Sequence, residues 1–240
     1  MNKTSKNAVS KSNVNAKYIA FDCETTGVDE RCNLLTISFI VLNKTLDIID
    51  TLNLSLKHNF GYFIYPKALQ INQIDIIKHH NNSTELVDAK RLLLYFLNKY
   101  KTQYNLIPIG HNISFDIKFI IASGLLTQNE YSNYISCNPI DTISVAQFLK
   151  LSGKLPEKQS ISLVNLCNYF KLNKSSETNL QHTAEYDIKM TIKLLRHMIQ
   201  QNKVTSDTCN IDNNTTNNGP NNGPNNNSVD VSKKRRVELN

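Results

Sequence analysis

Cysteine is scarce in this 240-residue chain. Its five cysteines, at positions 23, 32, 137, 167 and 209, are odd in number and widely spaced, and no CxxC pair occurs. That excludes a disulfide framework and a thiolate zinc site, and points to reduced intracellular thiols. Long apolar runs are missing as well. Stretches such as Leu92 to Leu97 and Phe119 to Ala122 fall far short of the ~20 residues a helix needs to cross a bilayer, so no membrane span is expected. Residues 1–16 are Asn, Ser and Lys without an apolar stretch, which argues against a secretory leader. Charge of one sign is only in mild excess. Lys plus Arg number 27 and Asp plus Glu 20, a net charge of +7. Residues 1–16 and 17–200 each supply +3 of it, and residues 201–240 supply +1. So small an excess is weak support for a nucleic-acid partner, unless some of the acids are committed to metal.

The chain is 40% hydrophobic, which fits one globular domain with polar excess. We divide it into a basic N-terminal tail (1–16), a folded domain (17–200) and a C-terminal tail (201–240). The second tail is rich in Asn, Gly and Pro and repeats Asn-Asn-Gly-Pro over 217–224. It buries too little apolar surface to offset chain entropy, so disorder is expected there. Lys233-Lys234-Arg235-Arg236 reads either as a nuclear import signal or as a solvated basic end, which leaves nucleus and cytoplasm both open.

Within the domain, Lys17 to Glu24, Leu34 to Leu42 and Leu46 to Leu56 read as strands, the last two joined at Asn43-Lys44. Residues 66–80 read as short helical pieces. Leu86, Ala89, Leu92 or Leu93, Phe96 and Leu97 recur at helical spacing, predicting a helix over Glu85 to Lys99. Leu106 to Ile109 is a short buried strand. Asn112 is placed to cap a helix to about Ser123. A strand near Ile135 to Ile140 leads into a helix from Thr142 to Leu151. Ser160 is placed to cap a helix through Phe170, and a last helix runs from about Thr183 to Gln200. Three strands followed by alternating helices and strands predict an α/β domain with a mixed sheet flanked by helices.

Several acids stand where burial is expected. Asp22 and Glu24 are two apart on a strand, so they share a face, with Cys23 on the other. Two adjacent carboxylates at the end of an apolar strand need water, a cation or a raised pKa. Asp116 lies three after Ile113 and four before Ile120, beside the buried stripe of its helix. Asp187 adjoins Ile188, three after Ala184. His182 and Asp187 converge only if His182 precedes the helix, since five positions on one helix differ by roughly 140°. Each feature alone has an ordinary structural explanation. Together they are four hard oxygen donors directed toward one sheet, which suits Mg²⁺ or Mn²⁺. A pair of such ions supports phosphodiester displacement, and a nearby His could take a proton from the attacking water.

These segments resemble the DEDDh exonucleases, the DnaQ-like family. Phe21-Asp22-Cys23-Glu24-Thr25-Thr26-Gly27 is similar to the first motif, Gly110-His111-Asn112-Ile113-Ser114-Phe115-Asp116-Ile117 to the second, and Gln181-His182-Thr183-Ala184-Glu185-Tyr186-Asp187 to the third. Pro66-Lys67-Ala68 with Ile71-Asn72-Gln73-Ile74, then Asp141-Thr142 and Ser162-Leu163, match connecting pieces in order. The resemblance covers about residues 17–200. It departs at Cys23, where a hydrophobic residue or Thr is usual, and at Gln73, where many relatives carry Gly.

The resemblance implies a ribonuclease H-like fold with a five-stranded mixed sheet. It implies stepwise hydrolysis of nucleic acid from a free 3′ end to 5′-mononucleotides, with DNA favoured and a proofreading or repair role beside a DNA polymerase conceivable. RNA trimming and an inactive interaction module are the alternatives. By position, Asp22, Glu24, Asp116 and Asp187 bind two Mg²⁺ (or Mn²⁺) and His182 is the general base. Thr25 and Thr26 contact the terminal nucleotide. Asn112, with His111, either meets substrate or shapes the helix start.

Overall fold

The computed structural model describes residues 15–29, 31–173 and 183–207, the last six by backbone only. The described residues as far as Asn202 belong to one compact unit. Three long strands, β1 (Tyr18–Thr25), β2 (Leu34–Leu42) and β3 (Ile48–Lys57), form an antiparallel meander. The helices α1 (Pro66–Asn72) and α2 (Ile76–Asn82) follow, then the two-residue strand β4 (Thr84–Glu85) and α3 (Leu86–Lys99). β5 (Ile107–Gly110) runs parallel to β1 and leads into α4 (Ile113–Ala122). Next come α5 (Gln128–Tyr134), β6 (Ile140–Asp141), α6 (Thr142–Leu151), α7 (Leu163–Tyr169) and α8 (Ala184–Asp207).

The sheet is mixed and six-stranded, in the order β4-β3-β2-β1-β5-β6. Five strands were expected; the sixth, β4, is only two residues long and pairs with the end of β3. The expected strand over Ile135 to Ile140 shrinks to one bridge, Leu106 to Ile135, and to β6. α5 was not expected. It carries a capping box between Thr127 and Glu130 but buries only Tyr131, so it shows no apolar period. α7 is preceded by Ser162 rather than Ser160. α8 continues past Gln200 to Asp207.

The alternation of β1 builds two cores. Ile19, Phe21 and Cys23 face α3 and α4 with Leu93, Leu97, Phe119 and Ile120. Ala20 faces the other way, with Ile40, Leu42 and Ile109, and is covered by Ile188, Ile192 and Leu195 of α8. Met190, Leu194 and Met198 of α8 pack instead with α6 and α7. α8 is thus apolar over a wide arc because it lies between the sheet and two helices. Among the described residues, no helix is long and apolar enough to cross a membrane.

Candidate active site

β1 lies inside the sheet, and its C-terminal end is where the two neighbouring strands part. Open α/β sheets bind ligands at such points. β1 pairs with β5 only over Tyr18 to Ala20, so the edge beyond is open on that side. The Cys23 N–H on that edge donates to Asp116 Oδ1 at 2.9 Å. α4 therefore presents its one buried acid, 3% exposed, to the gap that β5 leaves. On the α8 side of the sheet, Asp22 and Glu24 meet Asp187 from the first turn of α8. One carboxylate oxygen from each lies within 4.8 Å of the others. The structure brings all four sequence-predicted acids to one strand end, three of them within mutual ligand reach. Asp116 stands beside them with one oxygen held by the β1 backbone.

This much like charge is poorly tolerated without compensation. Burial pushes Asp22 well up, and the charges of Asp116, Asp187 and Glu24 push it further. Glu24 rises to about 8, mainly through burial and then through Asp187 and Asp116. Asp116 rises to about 7 through burial, against the lowering effect of the Cys23 hydrogen bonds. Hard oxygen donors, clustered and short of positive charge, fit a divalent cation.

Local structure explains how the acids are aimed. The β1–β2 register shifts between Glu24 and Thr25, an irregularity of the kind that re-aims side chains beside sites. Gly27 follows because a Cβ there would lie 2.3 Å from the Tyr65 ring and 2.5 Å from Cys32 Sγ. α4 begins at Asn112, which has φ 64 and makes no side-chain cap. The expected Asn112 cap is replaced by Asp141, whose carboxylate accepts from the N–H groups of Asn112 (3.0 Å) and Ile113 (3.2 Å). The same carboxylate accepts from Ile143 N–H at 2.9 Å, so one acid caps both α4 and α6.

The other predicted residues are placed as follows. Thr25 is buried, lines a cavity beside Glu24, and donates to Gly27 O at 2.5 Å. The Thr26 hydroxyl donates to Phe63 O (2.6 Å) and accepts from Asn33 N–H (2.7 Å), so it fastens the 63–65 segment to β1. Asn112 is exposed and lines none of the cavities beside Glu24. His111 Nδ1 lies 2.8 Å from Thr142 Oγ1, which itself donates to Gly110 O, so His111 shapes the β5–α4 turn. His182 lies outside the described residues.

Two cavities flank Glu24. One, of about 550 Å³, is walled by Val28, Tyr65, Lys67, Ile71 and Phe115. The other, of about 410 Å³, runs over Thr36, Ser38, Asn53 and Ser55 of β2 and β3 to Glu185. Sequence reasoning did not single out Asn72, which lines both. Its contacts cross from α1 to β1, and no local periodicity encodes them.

Comparison with known proteins agrees with this architecture. The model of the RNase T family, described as exonuclease, matches residues 19–195. The DNA polymerase III subunit epsilon of Buchnera aphidicola is 29% identical over 182 residues, covering 74% of this chain and 70% of the relative. Escherichia coli exonuclease I, solved with a dT13 oligonucleotide, superposes with a TM-score of 0.58 at 16% identity over 80% of this chain. The chain spans only 43% of that enzyme. The nuclease domain of 3′hExo, a DEDDh family member bound to rAMP, superposes with a TM-score of 0.57 at 14% identity, over 79% of this chain and 94% of the domain. The matched region runs from β1, through Asp116 and past Asp187 into α8, and the chain belongs to the RNase T exonuclease family.

Proposed function

We propose that this chain removes nucleotides from the 3′ end of a single nucleic-acid strand, DNA in the first instance, and releases 5′-mononucleotides. The carrying observation is the meeting of Asp22, Glu24 and Asp187 oxygens within 4.8 Å, beside a largely apolar cavity. The cavity walls of Phe115, Tyr65, Ile71 and Val28 suit a flat base, with Lys67 near the phosphate. Thr25 would contact that nucleotide from the cavity wall, with Thr26 behind it. The name of the Buchnera relative favours DNA and a place beside a polymerase, in proofreading or repair. RNA remains the alternative substrate, since 3′hExo is a relative in fold solved with rAMP.

Asp22, Glu24 and Asp187 would hold two Mg²⁺ or Mn²⁺ ions, with Asp116 completing the shell. Bound there, the ions supply charge stabilisation to the scissile phosphate. His182 takes a proton from the attacking water. The water oxygen forms the new bond to phosphorus, and the P–O3′ bond breaks. The remaining strand leaves through O3′, which takes a proton from solvent to become the 3′ hydroxyl, and the released nucleotide keeps its 5′ phosphate.

Digestion of a labelled strand tests this. Turnover should stop in EDTA and return with Mg²⁺ or Mn²⁺. Asp22→Ala should abolish it together with metal binding. His182→Ala should lower kcat by ~10²–10⁴, the usual range for a general base, with metal binding nearly intact. Robust activity in EDTA would overturn the metal reading. Equal loss of Mg²⁺ in both variants, read by calorimetry, would overturn the division of roles.

A further inference from the structure

The three long strands set their residues side by side in rows. Asp22 stands opposite Ser38, and Ser38 stands opposite Asn53. Residues directly opposite share a face, here the face that α8 covers. Ser38 is 1% exposed, and a buried hydroxyl needs a partner. It donates to Asn53 Oδ1 at 2.7 Å. The other end of the amide, Nδ2, donates to Glu185 Oε2 at 2.6 Å. An ionised carboxylate only accepts, so both contacts agree on which way the amide points. Glu185 Oε1 accepts from Lys189, one turn further along α8. Asp187, two residues after Glu185, meets Asp22 and Glu24 within ligand reach. The row thus runs from Asp22 across the sheet to Asn53, up to α8, and back through its first turn to Asp22. Glu24, Ser38, Asn53 and Glu185 all line the smaller cavity.

We infer that Asn53 is a positioning residue: oriented by Ser38, its amide holds Glu185 and so fixes the first turn of α8 where Asp187 meets Asp22 and Glu24. The inference rests on the proposal that these acids bind metal. Toward β1, the apolar contacts of α8 begin only at Ile188. Helix ends fray, so the turn ahead of Ile188 needs a tie of its own. Asn53 supplies that tie from a strand held on both sides, by β2 and by β4.

Mn²⁺ binding to the full chain, followed by calorimetry, and steady-state digestion of a short oligonucleotide test the assignment. Asn53→Leu removes the donor. Asn53→Asp keeps an acceptor for Ser38 but sets a second carboxylate against Glu185. Each should weaken Mn²⁺ binding and lower kcat by about 10-fold, the low end of what outer groups contribute to a metal site, with KM little changed. Pairing Asn53→Asp with Glu185→Gln reverses donor and acceptor across the same contact and should recover most of both losses. If the apolar core alone holds α8, the single variants will at most lose thermal stability, and will bind Mn²⁺ and turn over as the wild type does. That result overturns the assignment while the metal reading stands. So does a loss that the paired change leaves unrepaired, or one confined to KM. Wild-type protein that takes up no Mn²⁺ overturns the metal reading itself.

Discussion

Asp116 sits 3% exposed on α4, with its carboxyl pushed up to about 7 by burial, while Glu24 stands at about 8 and Asp22 is also raised. Raised carboxyl pKa values mean that the folded, metal-free protein binds more protons than the unfolded chain. Their stabilising contribution is complete below the unfolded carboxyl pKa and is lost as pH climbs through the folded values. The loss from Glu24 and Asp116 is therefore still in progress between pH 7 and 9. In EDTA, Tm should fall as pH rises across that window, and saturating Mg²⁺ should remove most of the fall. Asp116→Asn keeps an oxygen for the Cys23 N–H and deletes a buried charge facing Asp22. It should raise the metal-free Tm at pH 8 by about 2–4 °C, the equivalent of ~1 kcal/mol in a domain of this size, and should abolish turnover. Calorimetry in EDTA at pH 7, 8 and 9 decides. A wild-type Tm that is flat or rises with pH would sink the electrostatic reading of the cluster.

At the scale of elements, α1 ends on Gln73, which has φ 56 and ψ 24 and donates its N–H to Leu69 O. Glycine is the residue suited to this left-handed position. Gln73 keeps the turn geometry and bears the strain of its Cβ instead. Gln73 is exposed and lines neither cavity beside Glu24. Gln73→Gly should therefore raise stability by about 0.5–1 kcal/mol, seen as a higher urea midpoint with an unchanged slope and unchanged kcat. A midpoint that stays or falls would show that the turn is not strained. The elements with sustained apolar patterning, β1 to β3, α3, α4 and α6, were legible in the sequence, although β3 fully buries only Leu54 and Leu56. α5 was not, although Thr127 and Glu130 spell its cap, because only Tyr131 is buried. The carboxylates were legible as misplaced acids on apolar elements. Their supports were not. Asp141 caps a helix 29 residues upstream and Asn72 reaches a carbonyl 47 residues away, so both depend on how chain segments meet in space.

Across the whole molecule, the family match ends at residue 195, and the apolar residues of α8 that pack in the core end at Met198. Asp187, in the first turn of α8, is the last acid of the cluster. The basic run Lys233 to Arg236 lies outside the described residues, as does most of the C-terminal tail. The acids of the cluster and the described core residues of α8 therefore all precede residue 208. Removing 208–240 should leave kcat on a short oligonucleotide within about twofold, which is the scale of a ~0.5 kcal/mol surface change. Binding offers a sharper test of the tail. If the four cations of Lys233 to Arg236 contact the strand, changing them to Ala will flatten the dependence of log affinity on log salt by ~0.7 per lost phosphate contact on a single strand. The largest change is then about three. If the run is an import signal, the same change will leave the salt slope alone and move a fluorescent fusion from nucleus to cytoplasm. A kcat that collapses on truncation would mean that the tail completes the active site, and would move the boundary of the catalytic domain beyond α8.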